Sequence, residues 1–273
     1  MIEFTHFRKF NGSLTKVLSL SLTGEVRKDS AGCAMSTGSF VTLTIDHIRE
    51  LPDILININE LPDILINIKK SECLAYGVCS VQPEGRIISQ DKAKPSDITR
   101  TKDTFIYKQG QPALLMLDGD SPPGKPPLSK DEWLTCLYEA CPDLAKVARL
   151  WRASTTSYIY DKSGNELRGL TGQRLYVGVV DGADIPRAGE VLFKRLWLKG
   201  HGRIEISKSG AFLKRAPVDA AVFSPERLDF VAGAVCRDGL RQGDLTPLYI
   251  EGVPLSMEPK CTLSQAPVTR QLL

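Results

Sequence analysis

The chain has 273 residues, 42% hydrophobic and 25% charged, with a formal net charge of +3 at pH 7. That balance excludes wholesale disorder, collagen-like repeats and a coiled coil, and the length suits one large domain or two modest ones. No apolar run reaches membrane-spanning length and the start, "MIEFTHFRKFNGSLTK", is mixed and polar, so a cytoplasmic protein without membrane association is expected.

Two strand-like stretches, "KVLSLSL" and "FVTLTI", lie near the start. "LPDILININE" at 51–60 is then repeated at once as "LPDILINIKK" at 61–70. A single copy is not a solenoid, and ten residues would rotate the apolar face of a continuous helix by about 80° between copies. Residues 71–112 are loop-rich.

The run "ALLMLDGDSPPG" from Ala113 to Gly124 reads as a buried strand stopped by prolines, with a short buried helix as the alternative. On a strand, Asp118 and Asp120 project from one face roughly 7 Å apart, close enough to share a cation; a solvated turn is the ordinary alternative. Ser129 and Glu132 form a capping box that starts the helix "KDEWLTCLYEA", and Pro142 restarts a second helical stretch to Trp151. "TSYIY" is β-rich and "RLYVGVV" at 174–180 is a second core strand. Asp184 and Pro186 open an amphipathic helix through Leu198, closed by Gly200. A hairpin follows around Ser209-Gly210, its second strand ending at Asp219, and Ser224-Pro225-Glu226 caps a further short helix. The order predicts an α+β fold with a mainly antiparallel sheet. Its expected divisions are an N-terminal αβ unit at 1–110, a core at 111–235 and a C-terminal tail at 236–273.

Seven cysteines without a C-x-x-C pair, and only three histidines, give poor support for zinc and read as reduced, packed thiols. The carboxylates are more informative. Asp219, at the end of a strand in the same expected sheet, adds a third to Asp118 and Asp120. Three such groups suit two Mg2+ or Mn2+ ions held ~3.5–4 Å apart. Ser154 and Ser157 offer hydroxyl donors, and the forks of Arg168 and Arg174 suit phosphate oxygens, with structural pairing as the alternative. Tyr158, Tyr160 and Tyr176 read as half-buried strand residues rather than base-stacking platforms. From Arg187 to Arg215 there are eight Lys or Arg against two Glu. Within that stretch Lys194, Lys199, Arg203, Lys208, Lys214 and Arg215 form a candidate surface for a polyanion, with a solvated basic face as the alternative.

The succession "LLMLDGD", "STTSYIY", "RGLTGQRLYV" and "GHGRIEISKSGAFLKRAPVDAAVFSPERLDF" resembles the archaeo-eukaryotic primase superfamily, in particular the primase-polymerase domains of phages and integrated elements. The resemblance spans Phe4 to Phe230 and includes "FRKFNGSLTK" and "RTKDTF". It implies an RNA-recognition-like catalytic sheet joined to an N-terminal αβ unit, with Asp118, Asp120 and Asp219 binding the catalytic Mg2+ or Mn2+. It further implies nucleoside triphosphates as substrates, a single-stranded DNA template and a replicative helicase as partner. The family's second motif pairs serine with a nucleotide-contacting histidine. Here Arg174 stands before "LYV", and Arg174 or His201 of "KGHGR" is expected to take that role. The alternatives are a haloacid-dehalogenase-type phosphohydrolase, whose Asp-x-Asp opens a Rossmann-like domain, and a replication-associated nucleic-acid binder with a decayed site.

Overall fold

The computed structural model describes residues 1–45, 61–122 and 124–252. The first copy of the duplicated decapeptide and most of the expected C-terminal tail, from 253 onward, lie outside the described residues.

The fold is α+β, with two four-stranded antiparallel sheets and short helices. The first sheet contains β1 (Ile2–Lys9), β2 (Gly38–Ile45), β3 (Glu72–Ala75) and β4 (Glu84–Ile87), in the order β3-β1-β2-β4. Ile2 and Phe4 project from one side of β1 into the main core, and Thr5 and Phe7 are buried on the other, Phe7 in a second cluster, so β1 is covered on both faces. Between β2 and β3, the second decapeptide copy contributes a short helix, α1 (Leu61–Asn67), which buries Leu61 and Leu65.

The second sheet carries the acidic motif. Its strands are β5 (Ala113–Asp120), β6 (Arg149–Ala153), β7 (Gly172–Val179) and one from much later in the chain, with a separate ribbon of β8 (Arg203–Ile206) and β9 (Phe212–Arg215) intervening in sequence. The late strand is β10 (Leu248–Ile250), and the order is β10-β6-β7-β5. Helices α2 (Lys130–Ala140) and α3 (Ile185–Leu198) contribute Trp133, Leu137, Leu192 and Leu196 to the main core. Ser129 and Glu132 cap α2 reciprocally as the sequence predicts.

The glycine between the two aspartates has a steric cause. A Cβ on Gly119 would lie 2.5 Å from the Trp133 ring, which is itself buried and donates Nε1–H to Pro217 O at 2.7 Å. Gly119 therefore lets β5 lie directly on α2, while its neighbours Asp118 and Asp120 project from the opposite face.

Four local expectations are corrected. After Pro142 only a 3-10 turn forms, Pro142–Ala145, and Arg149–Ala153 is β6 rather than helix, because its side chains are required as the inner strand of the sheet. The second hairpin strand ends at Arg215, not Asp219. Asp219 instead caps a 3-10 turn, Ala220–Phe223, accepting from Ala221 N at 3.1 Å. Ser224 to Arg227 is a turn closed by Arg227 N–H to Ser224 O at 3.1 Å, since the short helix precedes the proline instead of following it.

One core cluster joins Ile2, Phe4 and Leu74 of the first sheet to Leu114, Met116 and Tyr176 of the second, so the boundary expected near 110 does not divide the core. The boundary expected at 236 falls just before paired strands: Arg241–Gln242 pairs with Ile159–Tyr160, and β10 pairs with β6. Among the described residues no helix is long and apolar enough to cross a membrane.

Candidate functional site

The register of the second sheet arranges the polar residues in two rows across its strands. Asp118 of β5 stands opposite Arg174 of β7, which stands opposite Arg152 of β6. In the next row Asp120 stands opposite Gly172, whose carbonyl accepts from Ser154 N–H at 2.7 Å. Gly172 lets the flanking side chains close over the centre of this row: a Cβ there would lie 3.0 Å from Asp120 Oδ1 and 3.4 Å from Ser154 Cβ. The second sheet thus presents carboxylates on one flank and hydroxyls on the other, brought close together over the bare backbone of Gly172.

Asp118 is 17% exposed. Burial, with the charges of Asp120 and Asp229, pushes its carboxyl up to about 6, against the pull of Arg174 and Lys16. Asp120 is exposed, and Asp219 joins the same end of β5 by donating its N–H to Asp118 O at 2.9 Å. A cleft of about 310 Å³ contains Asp120 and Asp219 together with Arg203, Lys214 and Arg215. Among the described residues, no three His, Cys, Asp or Glu side chains converge as a ready-made metal cage. The donor set on this flank is nonetheless all carboxylate oxygen, the chemistry of Mg2+ and Mn2+, and a cation beside Asp118 and Asp120 would relieve the repulsion that raises the Asp118 carboxyl.

Arg174 occupies a different role from the one its sequence context suggests. Its Nη1 lies 2.6 Å from Asp229 Oδ1 and donates to Phe230 O at 3.1 Å, while Nε lies 3.4 Å from Asp118. Among the described residues neither Arg174 Nε nor Asp229 Oδ1 completes a directed hydrogen bond, so the contacts there are between charges. Burial opposes the guanidinium's charge, but Asp229 and Asp118 outweigh it and hold Arg174 firmly protonated. Asp229 is itself wholly buried and accepts from Tyr76 and Tyr176 hydroxyls at 2.6 and 2.8 Å. Burial, then the Asp229 charge, pushes both phenols upward.

Three residues that sequence reasoning did not assign to the site belong to it. Asp229 anchors Arg174. Arg152 is 3% exposed, and among the described residues its Nε and Nη1 have no hydrogen-bond partner. Lys16, within the quoted "FRKFNGSLTK", has its ammonium pKa lowered by burial and by Arg174, against the pull of Asp120 and Asp118. The signal available in advance was slight: a basic residue inside an apolar strand, "RLWRA", and an aspartate between Leu228 and Phe230.

The hydroxyl flank is a connected cluster. Ser154 Oγ lies 3.2 Å from Thr156 Oγ1 and 3.1 Å from Thr171 Oγ1, and Ser157 Oγ accepts from Thr171 N–H at 3.0 Å. Among the described residues Thr155 Oγ1 is buried without a hydrogen-bond partner, and Tyr158 holds a positive φ of 57°, an uncommon geometry for a bulky residue that is often found at functional loops. Gln242 supports the segment from behind, donating Nε2–H to Thr155 O at 2.8 Å.

The other expected residues divide. Arg168 donates to Val26 O at 2.5 Å, outside the two rows. His201 Nε2 lies 2.8 Å from Glu139 Oε2, and its ring lines a second cleft with Asp120 on the Trp133 side of the sheet. Lys194 is paired with Glu190 at 2.7 Å, and Arg203 and Arg215 both contact Glu205, at 2.9 and 3.2 Å. Lys199, Lys208 and Lys214 make no ion pair among the described residues.

Comparison with family models, with curated proteins and with solved structures finds no match to this chain.

Proposed function

We propose that the chain is a metal-dependent nucleotidyltransferase of the primase-polymerase type, joining nucleotides on a single-stranded DNA template. The observation that carries the reading is the pair of rows: Asp120 faces Ser154 over Gly172, beside a row of Asp118, Arg174 and Arg152. Opposed carboxylates and phosphate-type donors fit a substrate that is both metal-binding and polyanionic, as a nucleoside triphosphate is.

In this reading Asp118 and Asp120, with Asp219 beside them, hold Mg2+ or Mn2+. A metal held by these carboxylates would supply activation of the attacking 3′-hydroxyl and neutralisation of charge on the departing pyrophosphate. Arg152 and Lys16 meet phosphate oxygens, and the Ser154–Ser157 segment donates hydroxyl hydrogen bonds to them. Arg174 orients Asp118 and Asp229 instead of holding the triphosphate. The phosphohydrolase alternative draws little support, since β5 pairs with β7 antiparallel where a Rossmann-like domain would be parallel.

The test is incorporation of labelled nucleotides on single-stranded DNA, unprimed and primed, with Mg2+ or Mn2+, comparing wild type with Asp118→Asn. Metal-dependent product lost by at least a hundredfold in the variant is expected, on the scale of removing a group that stabilises transition-state charge. A folded wild type that makes no product on either template would overturn the reading in favour of a decayed binder.

A further inference from the structure

Among the described residues the β8–β9 ribbon pairs only with itself, and its two faces differ. Arg203, Glu205, Leu213 and Arg215 form the half-buried face, from which Arg203, Glu205 and Arg215 line the cleft that contains Asp120 and Asp219. The opposite face carries Ile204, Ile206 and Phe212, 51%, 70% and 76% exposed, with the exposed Lys214 in register beside Ile204 and also bordering that cleft. Lys208 is exposed in the turn at the ribbon's tip. An aromatic and two branched aliphatics clustered on one face of a ribbon, edged by lysines that make no ion pair among the described residues, form an exposed apolar patch rimmed by positive charge.

We propose that this outer face is a contact surface for single-stranded nucleic acid, with Phe212 stacking on a base, Ile204 and Ile206 packing beside it, and Lys208 and Lys214 meeting phosphates. The class of polymer rests on the nucleotidyltransferase reading; the binding itself does not. Base faces are apolar and backbones anionic, so the polymer matches both the aromatic and the cationic parts of the ribbon. A second copy of the chain matches poorly. Three side chains on four-residue strands fall far short of the ~1,200 Å² or more that stable interfaces bury, and a two-fold contact would bring the lysines of each ribbon against those of the other. The ribbon also leads to the site, because its inner face lines the carboxylate cleft.

The experiment is fluorescence anisotropy with labelled oligothymidylate of about 20 nucleotides, in EDTA and without triphosphates, so that neither metal nor chemistry contributes. Phe212→Ala is expected to weaken binding by about tenfold or more, Phe212→Leu to behave like it, and Phe212→Trp to retain affinity with its emission quenched by the bound strand. An abasic strand should bind wild type as weakly as oligothymidylate binds Phe212→Ala. Lys208→Ala and Lys214→Ala should each flatten the dependence of log K on log salt by about 0.7. Because metal and triphosphates are absent, binding is read apart from chemistry: a folded wild type that binds the strand but incorporates no nucleotide sinks only the catalytic reading. Wild-type affinity in Phe212→Ala, absence of binding by the wild type, or a DNA-independent dimer that Phe212→Ala dissociates would each overturn the proposal.

Discussion

Asp118 has its ionised form disfavoured by burial and by Asp120, with a carboxyl pushed up to about 6. A carboxyl raised in the folded state lends stability that is fully present below the unfolded pKa, about 4, and is lost as pH rises through about 6. Asp118→Asn removes that loss. In metal-free buffer the variant is therefore expected to exceed wild type by roughly 1–3 kcal/mol at pH 8, the difference closing near pH 4, as read from urea unfolding at both pH values. Equal stability at pH 8 would mean that Arg174 fully compensates the charge. Arg152 makes the same argument from the other sign. A buried guanidinium with unpartnered nitrogens costs stability, so Arg152→Met should leave the fold as stable as wild type or about 1 kcal/mol more so. If Arg152 meets phosphate as proposed, the same variant should raise KM for nucleoside triphosphates about tenfold or more. A clear drop in melting temperature would instead make Arg152 a packing residue.

At the scale of elements, legibility followed locality. The apolar run before Asp118 and the capping box at Ser129 act within a few residues of themselves, and both formed where the sequence put them. Asp219 was legible as a residue but not as geometry: it joins β5 through its backbone while its side chain caps the turn after it. Arg152 and Asp229 were not legible, because what distinguishes them is register. Arg152 matters only once β6 is aligned beside β7 and Arg174 is seen to be occupied. The Asp-Gly-Asp spacing gained a second cause from the structure, since Gly119 must also clear Trp133. Gly119→Ala should cost about 1–3 kcal/mol through overpacking against a ring that has no room to yield. Chemical denaturation measures this directly, and a neutral substitution would show that β5 and α2 can separate.

For the whole molecule, strands from beyond residue 236 complete what earlier residues begin. β10 covers the outer edge of β6, and Gln242 holds the carbonyls of Thr155 and Ser157. A chain ending at 235 should therefore lose both stability and the ordered hydroxyl segment. Its expected signature is a lower unfolding midpoint together with faster proteolysis within 154–158, whereas a chain as resistant as the full-length protein would return 236–252 to the status of a tail. The two sheets are also tied at one point, where Leu74 and Asp229 exchange backbone hydrogen bonds of 3.0 and 2.7 Å and Asp229 reaches Tyr76 on one side and Tyr176 and Arg174 on the other. Such a joint has a consequence for isotope labelling. The amide hydrogens of Leu74 and Asp229 have no small opening by which to reach solvent, so they should exchange with deuterium at the rate set by global unfolding, slower than those of the exposed β8–β9 ribbon. Their protection would follow the integrity of the whole fold, so the residue that positions Arg174 beside the carboxylates would also mark when the two sheets part.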